Sequence, residues 1–97
     1  MIVVKKQDNL ITLEGHAKFS NGEDIVCASV SSIMYTTVNA CLKLNNTSIE
    51  YKDNGSIVSI KVLSDDKYTK ALIRNMISLY LELSDKYPNN IKVESEE

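Results

Sequence analysis

A long apolar stripe in the first half of the chain predicts a helix that begins near Asp24 and ends at Asn45 and Asn46. The members of the stripe recur at spacings of three and four residues: Val26, Val30, Ile33, Met34, Thr37, Val38, Cys41 and Leu44. This spacing places them on one face of a helix. A helix with one apolar face buries that face against another element, so the remaining segments have to supply a partner surface.

Short segments rich in β-branched residues lie on both sides of this helix and predict that surface. Residues 2–5 and 10–16 are predicted strands around the turn Gln7-Asp8-Asn9, and residues 49–52 and 57–62 are predicted strands around Asp53-Asn54-Gly55. Asn-Gly between alternating residues is a strong hairpin signal because both turn positions tolerate positive φ. The sequence therefore predicts two β-hairpins.

A second helix is predicted from a cap at Ser64-Asp65-Asp66 to about Asp85. Its apolar residues cover roughly 200° of the helical wheel: Tyr68, Leu72, Ile73, Met76, Ile77, Leu79, Tyr80, Leu81 and Leu83. One sheet face buries only about half of such an arc, so the excess favours a further partner surface, most simply a homodimer contact. After Pro88, residues 91–93 are a predicted last strand, and we expect residues 94–97 to form a disordered tail.

The predicted order β-β-α-β-β-α-β describes one α+β domain over residues 1–97, with a largely antiparallel sheet packed against two helices. A chain of 97 residues supports one hydrophobic core. The formal net charge of -2 offers no general attraction for nucleic acid or an anionic membrane, and the apolar runs are too short to span a bilayer. We therefore expect a cytoplasmic protein with reduced cysteines that binds neither nucleic acid nor membrane.

The only histidine of the chain, His16, precedes Cys27 by eleven positions. With Asp24 at the helix N-cap, Cys27 falls in the first helical turn, where unpaired N–H groups and the helix dipole favour a thiolate. His16, at the end of the preceding strand, could then serve as the base of a Cys–His pair. From spacing alone, a structural cysteine is the more common outcome, and Asp24 either caps the helix or orients His16.

The other polar residues near this pair have weaker signals. Ser31 follows Cys27 by four residues and so shares its helix face, and Gly15 suggests a bulge or a close approach of substrate. Cys41 lies in the middle of the apolar stripe and is a predicted core residue. One His and two Cys are too few for a structural zinc site, and the two cysteines lack Cys-x-x-Cys spacing. We expect no metal and no cofactor.

Two segments joined by a short loop that contains Gly22 carry a resemblance to a known family. Gly15-His16-Ala17 and the run "DIVCASVS" of residues 24–31 resemble the two-part motif of the ribosomal-processing cysteine protease (Prp) family. The similarity continues through residues 37–39 and ends with "YPNNIKV" at residues 87–93, so it spans nearly the whole chain. Ser29 stands where the family pattern has a second alanine, and the loop of residues 17–23 is shorter than in that pattern.

The resemblance implies a small homodimeric cysteine endopeptidase that removes the N-terminal extension of large-subunit ribosomal protein 27 during ribosome assembly, cleaving after paired aromatic residues. By position in the motif, Cys27 is the nucleophile and His16 the general base and acid, with Gly15, Asp24 and Ser31 in support. The loop over the site is the expected substrate contact: Lys18, Phe19, Ser20, Asn21, Gly22 and Glu23.

Two non-catalytic functions are alternatives to this enzyme. A dimeric module that keeps the family fold and only binds a ribosomal protein or the ribosome is the main alternative. A generic RNA-binding α+β domain is disfavoured by the pI of about 5.4 and by the absence of an aromatic platform among basic residues.

Overall fold

The computed structural model describes residues 1–15 and 25–96. In chain order its elements are β1 (Ile2–Gln7), β2 (Leu10–Glu14), α1 (Ile25–Leu44), β3 (Ile49–Asp53), β4 (Ile57–Val62), α2 (Lys67–Lys86) and β5 (Ile91–Glu96). This is the predicted order β-β-α-β-β-α-β.

The five strands form one sheet with the spatial order β3-β4-β2-β1-β5. Both predicted hairpins are present, since β1 pairs with β2 and β3 pairs with β4, each antiparallel. The hairpins join through an antiparallel β2–β4 contact, while β5 runs parallel to β1. The prediction of a largely antiparallel sheet with two helices is therefore confirmed.

Alternate strand residues form the sheet's half of the core, as a period of two requires. The fully buried strand residues include Val4, Ile11 and Ile60. Helix α1 packs near β3 and α2 near β5, and the two helices contact each other. Buried Tyr80 of α2 joins the helices because its hydroxyl donates a hydrogen bond to the Val30 carbonyl at 2.8 Å.

The apolar stripe of α1 is mostly buried as predicted, with Val26, Val30, Met34, Thr37, Val38 and Cys41 in the core. Leu44 is an exception and is 56% exposed, because it lies at the helix end beyond the reach of the core. By length and composition α1 is apolar enough to cross a membrane, although its uninterrupted apolar runs are short. The core helix of a globular protein meets the same criterion, and the buried face of α1 belongs to the core here.

Helix α2 starts with the predicted cap, since the Asp66 side chain accepts a hydrogen bond from the Tyr68 backbone N–H at 3.0 Å. Only part of the wide apolar arc of α2 is buried in the core. Ile73, Met76 and Ile77 are buried, whereas Tyr68 and Leu81 are 59% and 46% exposed. The apolar excess that the sequence predicts is therefore present on the surface of α2.

Two strand ends differ from the predicted boundaries. Strand β2 ends at Glu14, because Gly15 has φ of 97° and turns the chain out of the sheet. Strand β5 continues through Glu96, in parallel register with β1 as far as Gln7. A disordered tail from residue 94 was therefore wrong for residues 94–96, because β1 supplies their backbone with hydrogen-bonding partners.

Candidate active site

Cys27 occupies the position that the sequence predicts. Helix α1 begins at Ile25, so Cys27 is its third residue and lies in the first turn, with its side chain half-buried. The first backbone N–H groups of a helix have no acceptor within the helix, and the helix dipole is positive at this end. A negative charge that develops on a group bound beside Cys27 is stabilised by this placement.

A cavity of about 220 Å³ opens beside Cys27. Its apolar lining consists of Ile2, Leu13, Val30, Met34 and Val58, and its polar lining includes Glu14, Ser31, Asp53 and Ser56. Sites for small-molecule ligands usually measure about 300–1,000 Å³. The smaller volume and the mixed apolar and polar walls of this cavity suit one side chain of a larger substrate.

Ser31 lies on the cavity wall one turn after Cys27, which confirms that the two share a face of α1. Cys41 is fully buried at the other end of the same helix, and burial raises the pKa of its thiol. Its prediction as a core residue is confirmed. Within residues 1–15 and 25–96 no group of three His, Cys, Asp or Glu residues is placed to hold a metal ion.

Gly15 borders the cavity for a steric reason that the sequence did not reveal. Its φ of 97° is one that side chains rarely adopt, and a Cβ at this position would collide with the carbonyl oxygen of Met1. The close approach is therefore to the chain's own first residue. The glycine allows the end of β2 to pack against the start of β1 beside Cys27.

The turn between β3 and β4 supplies a cavity wall that sequence reasoning missed. The Asp53 carboxylate accepts a hydrogen bond from the Gly55 N–H at 2.9 Å. The Asn54 side chain accepts from the N–H groups of Ser56 and Ile57 at 2.9 and 2.8 Å. These bonds hold the turn at the cavity. The Asn-Gly signal locates the turn in the sequence, but nothing local shows that it meets Cys27.

Several predicted site residues lie outside the described residues: His16, Lys18, Phe19, Ser20, Asn21, Gly22, Glu23 and Asp24. The pairing of His16 with Cys27, the cap at Asp24 and the loop's contact with substrate therefore stay predictions. In the sequence, His16 directly follows Gly15 at the cavity, and Asp24 directly precedes α1.

Comparisons with known proteins agree on one family. The family model described as cysteine protease Prp matches residues 1–92. The ribosomal processing cysteine protease Prp of Mycoplasma genitalium is 31% identical over 99 residues, which cover 99% of this chain and 97% of that protein. Its namesake from Staphylococcus aureus is 29% identical over 87 residues, which cover 86% of this chain and 82% of that protein.

A solved structure extends the likeness to three dimensions. It is the crystal structure of an essential ribosomal processing protease Prp from S. aureus in complex with a covalently linked product peptide. The match has a TM-score of 0.83 and 26% sequence identity, and it covers 99% of this chain and all of that one (100%).

Proposed function

The chain belongs to the cysteine protease Prp family, and we propose that it removes the N-terminal extension of large-subunit ribosomal protein 27 during ribosome assembly. It is a cysteine protease, and its class of substrate is a peptide. The observation that carries the proposal is Cys27 in the first turn of α1, beside a cavity that suits one side chain.

The proposed reaction uses Cys27 and His16 in two stages. His16 takes the proton of the Cys27 thiol, the sulfur attacks the carbonyl carbon of the scissile bond, and a C–S bond forms. His16 returns the proton to the leaving amine as the C–N bond breaks. Water then attacks the thioester, its proton passes to His16, and the C–S bond breaks to release the carboxylate product and restore the thiol.

The start of α1 can stabilise the charge that develops in this reaction. In each tetrahedral intermediate the carbonyl oxygen becomes an oxyanion, which needs preorganised donors. Cys27 lies in the first helical turn, where the backbone N–H groups have no acceptor within the helix, so we propose them as the donors. The helix dipole acts in the same direction.

The walls of the cavity support the proposed cleavage after aromatic residues. Leu13, Met34 and Val58 present apolar surface to a side chain inside it. An aromatic ring buries more apolar area than other side chains and gains the most from such a site. One of the paired aromatic residues is thus proposed to fill this cavity while the carbonyl of the scissile bond reaches Cys27.

The proposed assembly is a homodimer in the cytoplasm. Apolar residues such as Tyr68 and Leu81 remain exposed on α2, and contact with a second copy of the chain would cover residues of this kind. No observation favours the non-catalytic module over the enzyme.

The test uses ribosomal protein 27 with its extension as the substrate of three proteins: wild type, Cys27→Ala and Cys41→Ala. We expect the wild type to produce one new N-terminus after a pair of aromatic residues, identified by mass spectrometry. Loss of the nucleophile lowers the cleavage rate by at least about 1,000-fold. Cys41→Ala is the matched control and remains active. Equal cleavage by wild type and Cys27→Ala would overturn the proposed mechanism.

A further inference from the structure

Strand β3 lies at an edge of the sheet, and within the described part of the chain β4 is its one strand partner. The opposite side of β3 therefore presents backbone N–H and C=O groups that an added strand could pair with. Extended peptides bind to exposed sheet edges in this way, with main-chain hydrogen bonds supplying affinity and alternate side chains supplying specificity.

This edge is continuous with the cavity beside Cys27. Asp53 is the last residue of β3, and it lines the cavity together with Gly55 and Ser56 of the following turn. A peptide that places one side chain in the cavity therefore lies at the end of β3 and can continue along its edge.

Two tyrosines lie farther from the cavity, beside the edge of β3. Tyr51 lies two residues before Asp53 on β3, and Tyr35 of α1 is 48% exposed beside it. Their ring centroids are 6.5 Å apart, with an edge-to-face angle of 63°. Tyr35 also follows Ser31 by four residues, as Ser31 follows Cys27, so these three residues share one side of α1.

The pKa of Tyr51 is sensitive to both Tyr35 and Asp53. Burial raises the pKa of Tyr51 to about 12, and a hydrogen bond with Tyr35 and the negative charge of Asp53 act in the same direction. The rings of Tyr35 and Tyr51 offer apolar surface to a ligand, with their hydroxyl groups as polar tips.

We propose that the substrate binds as an added strand along the free edge of β3, and that Tyr35 and Tyr51 form a second subsite for a large apolar side chain. The proposal rests on the proposed function, which places one of the paired aromatic residues in the cavity. Side chains on one face of a strand recur every second residue, about 6.6 Å apart. Asp53 and Tyr51 have the same separation, so a peptide that runs from the cavity towards Tyr51 on the side before the scissile bond places its third or fourth residue before that bond in the second subsite.

The first test pairs two enzymes with two peptides. One peptide has leucine at the third and fourth positions before the cut, and the other has alanine at both. In the wild type we expect the alanine peptide to lose about tenfold in kcat/KM, whereas Tyr35→Ala should cleave both peptides at the same reduced rate. Leu44→Ala is the matched control, because Leu44 is also an exposed apolar residue of α1 but lies about two and a half turns beyond Tyr35.

The second test examines the backbone contact with N-methylated versions of the leucine peptide. Along the four residues before the cut, methylation of the backbone nitrogens at one alternate set of positions should lower kcat/KM about fivefold each, the effect of one lost hydrogen bond, and methylation at the other set should not. If methylation lowers kcat/KM equally at every position, or at no position, the proposal that the substrate binds as an added strand is overturned. A leucine preference that persists in Tyr35→Ala overturns the subsite.

Failure of the proposed function has a different signature. In that case the wild type and Cys27→Ala cleave the leucine peptide at the same rate, whatever residue stands at position 35. Cleavage that depends on Cys27 but not on Tyr35 leaves the protease function intact and removes only the second subsite.

Discussion

The two cysteines of this protein lie on one helix, yet their surroundings are opposite. Cys27 is half-buried in the first turn of α1 and borders a cavity, whereas Cys41 is fully buried one turn before the helix ends. The carbonyl of Cys41 accepts hydrogen bonds from the Asn45 N–H at 3.0 Å and the Ser48 hydroxyl at 2.9 Å, which close the helix end. Position along one helix therefore gives one cysteine access to a cavity and buries the other in the core.

The largest expected effect is on alkylation of the two thiols. In the native protein at neutral pH, iodoacetamide should modify Cys27 at least about 100-fold faster than Cys41, because burial both blocks Cys41 and raises its pKa. Mass spectrometry of peptides after timed quenching measures both rates. In denaturant the two rates should converge. Similar rates in the native protein would contradict the distinction between the cysteines.

The next largest effect is on the free energy of unfolding, when each of two glycines with positive φ is replaced. Gly15→Ala should lower the free energy of unfolding by about 3 kcal/mol, because the new Cβ adds a collision with the Met1 backbone to the cost of the φ value. Gly55→Ala should cost only about 1 kcal/mol, since open space surrounds that position. Urea unfolding measures both. Equal losses would show that the contact with Met1 does not hold the cavity wall beside Cys27.

His16→Ala should affect one cysteine only. If His16 supports the thiolate of Cys27, its removal slows alkylation of Cys27 about tenfold near neutral pH and leaves Cys41 unchanged. The pH profile of alkylation from pH 5 to 9 provides the readout. An unchanged profile for Cys27 would remove His16 from the mechanism and leave the helix terminus as the source of reactivity.

The smallest effect is on stability at alkaline pH. Burial raises the folded-state pKa of Cys41 and of Tyr80, so folding favours their neutral forms. Their contribution is complete below the unfolded-state pKa values, near 9.0 and 10.0, and is lost as pH rises above them. Urea midpoints should fall from pH 8 to pH 10.5, and less steeply in Cys41→Ala. A midpoint that rises over this range would contradict the burial of both groups.

Much of the fold could be predicted because its signals are local. The stripe from Val26 to Cys41 has the helical period, Asn54-Gly55 can adopt a tight hairpin turn, and Asp66 has a side chain that caps α2. The position of Cys27 in the first turn of α1 follows from the predicted start of that helix near Asp24. Leu44 was predicted wrongly for the converse reason, since periodicity marks a helix face but not the point at which the core ends.

The sequence by itself determined the order of the elements, both hairpins and the placement of one cysteine at a helix start and the other in the core. Only the tertiary structure decided that the turn at Asp53 faces Cys27, that Tyr35 meets Tyr51, and that β5 pairs with β1 through Glu96. Each of these contacts joins segments far apart in the chain. The packing of α1 against the sheet brings the first two together, whereas hydropathy and turn patterns describe only neighbours in sequence.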